Sequence, residues 1–134
     1  MLLALAAGCA TSTAQKHPSQ PMVTSKDLED NPGEPIEAVL QAKVPGVIIS
    51  RTDNGGIAVR IRGNSSFYGS DQPLYILDGV AIQPGPGGAL MGVNPHDIDT
   101  IKVLKDPSET GLYGMRGANG VIVITMKKPG KRGG

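Results

Sequence analysis

The stretch KDPSETGLYGMRGANGVIVIT, residues 105–125, joins a glycine-rich loop directly to a run of strand-forming residues. Asp106 can cap a helix and Pro107 suits the first helical position, so a short helix is expected to begin here. Gly114 is expected to end that helix. The Asn-Gly pair at 119–120 favours a tight turn, and the uninterrupted apolar run VIVIT predicts a strand buried on both faces.

The glycines of this stretch do not form a nucleotide-binding fingerprint. A dinucleotide site requires a strand, then a glycine loop, then a helix whose first amides meet the pyrophosphate. Gly114, Gly117 and Gly120 are spaced by threes and lead into a strand. Because both the order and the spacing differ, the sequence predicts no nucleotide and no cofactor, and the glycines are expected to serve backbone geometry.

Composition predicts one small domain with short elements. The 134 residues are 39% hydrophobic but only 3% aromatic, so the core is expected to consist of Val, Ile, Leu and Ala. Nineteen glycines and eleven prolines favour turns over long helices. Thirteen Lys and Arg nearly balance twelve Asp and Glu, which excludes the strong basic field typical of nucleic-acid binding.

Apolar spacing predicts the elements upstream. Ile36, Val39 and Leu40 recur at helical spacing after Pro35, which predicts a short helix that ends at Pro45-Gly46. VIIS, a turn over residues 53–56 and IAVRIR then predict a β-hairpin. On its second strand one face is apolar, and Arg60 and Arg62 share the other face.

Further strands are expected in PLYILDGVAI, with a turn at Asp78-Gly79, and around residues 101–104, where apolar residues continue the β pattern. Between them lies the Pro/Gly segment QPGPGGALMG, residues 83–92, which is expected to be mobile or to face a partner. Asn94 as a cap and Pro95 at the first position predict another short helix start.

The first ten residues, MLLALAAGCA, contain the single cysteine. Cys9 follows a short apolar run and a small residue, an arrangement that resembles the lipobox of bacterial lipoproteins, in which the cysteine is acylated. The run is too short to span a bilayer. No Lys or Arg precedes it and Leu5 lies one position early, so a truncated or accidental apolar start is the alternative.

We expect residues 1–8 to be a lipoprotein-type signal segment and residues 9–35 to be a disordered tether that begins at the lipidated Cys9. The tether is poor in apolar residues and contains four prolines, at positions 18, 21, 32 and 35. A folded domain is expected over 36–128, and a flexible tail over 129–134.

Several segments, in this order, resemble the plug domain of TonB-dependent outer-membrane receptors, closest to the glycan- and peptide-importing branch. They are IEAVLQAKVPGVIIS, IRGNSS, PLYILDGV and NPHDIDTIKVLKDPSETGLYGMRGANGVIVITMKK. The resemblance covers about residues 36–128, and LYGMRGANGVIVIT and PLYILDGV are its specific parts. It implies a small α/β (α+β) domain, a twisted mixed sheet of about four strands with two or three short helices.

In receptors of this family the plug sits inside a barrel and blocks its lumen. No barrel follows residue 128 in this sequence, so a free-standing plug-like module is expected. Arginines that would meet a barrel wall must then face water, pair with an acid within the fold, or await a partner. The acids considered for such pairing are Asp78, Asp97, Asp99 and Asp106.

The alternative to internal pairing is a partner-binding surface made of these arginines and two loops, 63–72 and 83–92. Its candidate residues are Arg60, Arg62, Arg116, Phe67, Tyr68, Leu90 and Met91.

Enzymatic and metal chemistry have little support. His96, Asp97 and Asp99 offer too few ligands for zinc or calcium, and Ser65 and Ser66 lack a nearby base. We therefore expect no catalytic residue, no metal and no enzyme activity.

The leading hypothesis is a non-enzymatic, lipid-anchored module at the periplasmic face of the outer membrane that docks to a barrel or another envelope protein. The alternative is a gate, acting in trans, for a separately encoded TonB-dependent barrel in nutrient import. A third hypothesis, less supported by the residues, is small-ligand binding or catalysis through the Pro/Gly loop.

Overall fold

The computed structural model describes residues 20–63, 71–85, 90 and 92–130. These residues form seven short strands, three short α-helices and two 3-10 segments. The strands are β1 Met22–Thr24, β2 Val47–Arg51, β3 Ile57–Ile61, β4 Leu74–Leu77, β5 Val80–Ile82, β6 Ile98–Leu104 and β7 Val121–Met126. The α-helices are α1 Ser25–Glu29, α2 Ile36–Lys43 and α3 Pro107–Thr110, and the 3-10 segments are Pro95–Asp97 and Gly111–Gly117.

Five strands form one mixed sheet in the order β1-β6-β7-β4-β5. Strand β7 occupies its centre, antiparallel to β6 and parallel to β4, with Ile122 opposite Val103 on one side and Tyr75 on the other. Ile122 and Ile124 are fully buried. The prediction of a central strand in VIVIT is confirmed, because an apolar run is what a strand covered on both faces requires.

Strands β2 and β3 form a separate antiparallel hairpin, with Val47 opposite Ile61 and Arg51 opposite Ile57. Its inward positions, Val47, Val59 and Ile61, belong to the main core, whereas Arg60 points to solvent. The predicted hairpin and its apolar and charged faces are therefore confirmed. The fold class is confirmed as well, with a five-stranded sheet and a separate hairpin where about four strands were expected.

Two glycines of the opening stretch have geometries that explain their identity. Gly114 has φ 63° and ψ −148°, a backbone region that is accessible essentially to glycine alone, and the chain kinks there. At Gly117 an added Cβ would lie 2.5 Å from the Thr110 carbonyl oxygen, which is closer than atoms can approach. The glycines shape the backbone that leads into β7, as the sequence predicted.

The predicted caps and turns are present at the expected residues. Asn94 accepts a hydrogen bond from the His96 amide, and Asp106 accepts one from the Ser108 amide at 2.9 Å. Asp78 turns β4 into β5 with φ 46°, and its carboxylate accepts a hydrogen bond from the Met126 amide at 2.9 Å. That bond ties the β4–β5 turn to the end of the central strand.

The prediction of a disordered tether over 9–35 is wrong for residues 22–29. Strand β1 pairs with β6, and helix α1 follows it immediately. Val23 is fully buried and Leu28 is 5% exposed, so two apolar side chains tie this segment to the core. The folded domain therefore begins before Ile36, and residues 1–19 lie outside the described part of the chain.

Polar contacts hold the same segment in place. The Thr24 amide and hydroxyl both donate to one carboxylate oxygen of Asp27, at 2.9 and 2.7 Å. Lys43 lies 3.0 Å from the other Asp27 oxygen. The Thr24 hydrogen bonds, with the Lys43 contact, lower the pKa of Asp27 to about 2.

No helix among residues 20–63, 71–85, 90 and 92–130 has the length and hydropathy that a membrane crossing requires.

Candidate functional site

Arg60 forms an ion pair with Asp71, so one candidate arginine has a partner within the fold. Asp71 was not among the acids considered from the sequence. The side chains are 55% and 36% exposed, and an ion pair this open to water contributes only about 0–1 kcal/mol to stability. The pair therefore orients Arg60 rather than making it part of the core.

The segment that follows Asp71 is fixed at several points and brings Arg60 and Arg116 to a common region. The Asn119 side-chain amide donates to the Gln72 carbonyl, and the Leu74 amide donates to the Gly120 carbonyl at 3.0 Å. Arg116 is exposed and lines a shallow cleft of about 150 Å³. The other lining residues of this cleft are Gln72, Pro73, Leu74, Ile82, Gln83 and Pro84.

Arg62 is exposed just beyond β3, where its amide donates to the Gly46 carbonyl at 2.7 Å. The neighbouring Lys105 ammonium donates to the Pro45 carbonyl at 2.8 Å, so the start of β2 lies close to two cationic residues. The three candidate arginines are thus all on the surface. The described contacts connect Arg60 and Arg116 through residues 71–73 and place Arg62 at the Pro45-Gly46 turn.

Two exposed apolar side chains beside Arg116 were missed by the sequence reasoning. Leu112 is 87% exposed and Met115 is 92% exposed, both within the 3-10 segment Gly111–Gly117. Large apolar residues between glycines in a short loop were the available signal, because such a loop has little room to bury them. Leu112, Met115 and Arg116, hereafter the loop cluster, join apolar area to a positive charge, a combination common at protein interfaces.

Leu90 corrects one of the predicted partner contacts. Its side chain is 3% exposed and packs in the main core, so it cannot meet a partner in this conformation. The glycines and prolines around Leu90 predicted a loop that faces outward, but the apolar side chain of Leu90 packs in the core. The candidate residues Phe67, Tyr68 and Met91, and the proposed lipidation site Cys9, lie outside the described residues.

Two ionisable side chains, Glu37 and Tyr75, are buried, in contrast to the exposed arginines. Glu37 is 6% exposed on α2, and Tyr75 is 2% exposed on β4. Burial raises the pKa of the Tyr75 phenol, and the negative charge of Glu37 raises it further. The two groups are therefore close enough to interact electrostatically. In the described part of the chain, no cluster of three metal-ligating side chains occurs.

Comparison with known proteins identifies the family. A family model described as the TonB-dependent Receptor Plug Domain matches residues 13–121. TonB-dependent receptor SusC of Bacteroides thetaiotaomicron is 47% identical over 121 residues, which cover 85% of this chain and 12% of that protein.

Solved structures agree. The chain superimposes on the structure of the RagAB peptide importer in its closed-closed state with a TM-score of 0.64 and 36% identity, covering 80% of this chain and 12% of the other. For the siderophore receptor PirA from Acinetobacter baumannii, the TM-score is 0.59 at 26% identity, covering 80% of this chain and 17% of that receptor.

The chain belongs to the plug-domain family of TonB-dependent receptors. This confirms the resemblance found in the sequence. The family is one of transport components rather than of enzymes, and its receptors belong to the outer membrane. The present sequence spans about an eighth of the length of SusC.

Proposed function

We propose that this chain is a non-enzymatic docking module that seats against an outer-membrane barrel or an associated envelope protein. The observation that carries the proposal is the separation of two roles in one small domain. The core is closed by its own strands and helices, whereas large apolar and cationic side chains remain exposed in the loop cluster. Membership in the plug family supports a barrel as the partner.

In-cell photo-cross-linking tests this docking. A photo-reactive residue placed at Leu112 or Met115 should trap one large β-barrel protein, because these side chains are exposed and belong to no core cluster. The same probe at Asp53, on the exposed β2–β3 turn, is the control and should trap far less. Equal trapping at both sites, or trapping of many unrelated proteins, would contradict the proposed face.

The arginines are tested by charge removal. Substitution of Arg60, Arg62 and Arg116 by Ala should reduce capture of the barrel about tenfold or more, while the melting temperature changes little, since exposed cations contribute little to folding. The control variant replaces Lys26, Arg51 and Lys128 by Ala and removes the same charge from other exposed positions. A similar loss of capture in the control would assign the effect to net charge.

A second candidate function is gating in trans, in which the domain closes a separately encoded barrel during import. The likeness to the importer structure favours this role. Gating predicts that deletion of the gene alters uptake through the partner barrel, whereas simple docking leaves uptake unchanged. Uptake of a labelled substrate in cells with and without the chain distinguishes the two roles.

We also propose that Cys9 is acylated and holds the module at the periplasmic face of the outer membrane. The support is the apolar run that precedes this single cysteine. Cys9→Ala should move the protein from the membrane fraction to the soluble fraction and abolish incorporation of labelled fatty acid. Full membrane recovery of the variant, with no label in the wild type, would refute acylation.

A further inference from the structure

A cleft of about 250 Å³ lies between the start of helix α2 and strand β3. Two carboxylic acids, Glu34 and Glu37, contribute to it, and its other walls are mainly aliphatic. The remaining lining residues are Pro35, Ile36, Ile57, Leu90, Val93 and Pro95. The cleft therefore combines negative charge with apolar walls in a volume suited to a single side chain.

Glu37 is the unusual group in this cleft. The residue is 94% buried and receives no hydrogen bond from another described residue, and its carboxylate oxygens are not among the atoms closed off from solvent. Its place in the first turn of α2 gives a favourable interaction with the helix dipole. A dipole interaction supplies no hydrogen bond, so the carboxylate depends on water that enters the cleft. A cation that enters the cleft would therefore meet a carboxylate that no other described residue pairs with.

The described residues that line the cleft supply no positive charge. The charge of Glu37 helps to raise the pKa of the Tyr75 phenol, so Tyr75 stays neutral and brings no charge to the site. Glu34, one turn earlier in the chain, adds a second carboxylate at the exposed side of the cleft. A positive group that enters from solvent would be attracted first by Glu34 and would then reach Glu37.

We propose that this cleft receives the side chain of a lysine presented by a protein partner. The lysine ammonium would pair with Glu37, and its four-carbon stem would lie on the partly exposed Ile57 and Val93, as long cationic side chains commonly do on apolar surface. None of the described residues that line the cleft is aromatic, so a guanidinium would find no ring on which to stack. A compact ammonium is the better fit.

The proposed lysine cleft is separate from the surface that carries Arg60, Arg62 and Arg116. The cleft shares no lining residue with the one that contains Arg116, and neither Arg60 nor Arg62 contributes to it. Only the choice of a protein as the carrier of the lysine rests on the proposed docking function. Recognition of the ammonium itself can be measured on the purified chain without any barrel.

The test uses two probes that differ only in the terminal ammonium group. Nα-acetyl-lysine methylamide carries the ammonium, and Nα-acetyl-norleucine methylamide has the same main chain and an uncharged butyl side chain. Titrated into the full 134-residue chain, the lysine probe should shift the backbone amide resonances of Glu37, Ile57 and Val93. The norleucine probe should cause shifts that need at least about tenfold higher concentration.

Substitution of the acid then assigns the site. Glu37→Gln preserves shape and should weaken binding of the lysine probe about tenfold or more, while Asp53→Asn, at an exposed turn, should leave it unchanged. Equal binding of the two probes to the wild type, or undiminished binding to Glu37→Gln, overturns the proposal. The probe comparison needs no variant, so it stands even if Glu37→Gln alters folding.

Failure here can be told apart from failure of the docking proposal. If the lysine probe does not bind but cross-linking at the loop cluster traps a barrel, the cleft proposal alone is wrong. If the probe binds and no barrel is trapped, the ammonium site stands and a protein carrier does not.

Discussion

Strand β7 and the 3-10 segment Gly111–Gly117 are neighbours in sequence and opposites in structure. Residues Val121, Ile122 and Ile124 are fully buried, whereas Leu112 and Met115 expose 87% and 92% of their surface. Both stretches are rich in large apolar residues. Hydrophobicity alone therefore does not determine burial here, and the backbone decides which apolar side chains reach the core.

The difference follows from the turn geometry between them. The kink at Gly114 and the close approach at Gly117 bring the chain back toward Thr110 before β7 begins. Such a tight return leaves Leu112 and Met115 on its outer side. Strands β6 and β4 then flank β7, so burial is concentrated in the strand while the loop leaves its two large aliphatic side chains exposed.

Ile122→Asp breaks the buried half of this comparison and should have the largest effect. A carboxylate would enter the main core without a partner, and we expect a loss of at least about 4 kcal/mol in the free energy of unfolding. Thr125→Asp, an exposed position on the same strand, should cost far less. Urea denaturation followed by circular dichroism measures both, and equal losses would refute the central role of β7.

Gly117→Ala tests the junction between the two regions. The added methyl would contact the Thr110 carbonyl, so the backbone must shift, and we expect a loss of about 1–3 kcal/mol. Gly111→Ala is the matched control, since nothing lies within 4 Å of its Cβ position and its φ of −58° suits alanine. Its stability should be unchanged or slightly higher. Thermal melts of the two variants should diverge in this order.

Asp27 extends the comparison to the segment that sequence reasoning took for a tether. Asp27→Asn should destabilise the domain by about 1 kcal/mol at neutral pH, because the Asp27 carboxylate holds the start of α1. The pKa of Asp27 is lowered from 3.8 to about 2, so its contribution is fully present above about pH 4 and is lost as the pH falls through 2.

Stability measured against pH therefore distinguishes wild type from Asp27→Asn. The two curves should converge below about pH 2 and separate above pH 4. A constant gap across this range would show that the variant acts through packing rather than through the charge.

Leu112→Ser combined with Met115→Ser tests the exposed half and should have the smallest effect on stability. Exposed side chains contribute little to folding, so the free energy of unfolding should change by no more than about 0.5 kcal/mol. Capture of the barrel should fall markedly if the loop cluster docks. A large loss of stability would mean that these residues pack in solution and are not a surface.

Much of this fold could be predicted from the sequence because its signals are local. The helix stripe of Ile36, Val39 and Leu40, the Asp78-Gly79 turn and the Asp106 cap depend on neighbouring residues, and all three are present. Strand β1 is only three residues long and owes its place to pairing with β6, about 80 residues later. A long-range pairing of this kind leaves little trace in a short polar segment.

The candidate site was less predictable for the same reason. The surface position of three arginines follows from strand alternation and loop composition, but the partner of Arg60 depends on where residue 71 returns to the sheet. Leu90 was predicted to lie in an outward-facing loop because glycines and prolines surround it, but its side chain packs in the main core. The Thr24 and Asp27 pair was a readable cap signal that was overlooked.

Strand β1 has a mechanical consequence. It is held to the sheet by three residue pairs at an edge, whereas β6 and β7 share six in the interior. A pulling force applied ahead of Met22 would load that short outer ladder before any other, so β1 would peel away while the inner strands kept their register. Traction on the N-terminal side of the domain would therefore be carried first by β1 and by its buried Val23 side chain.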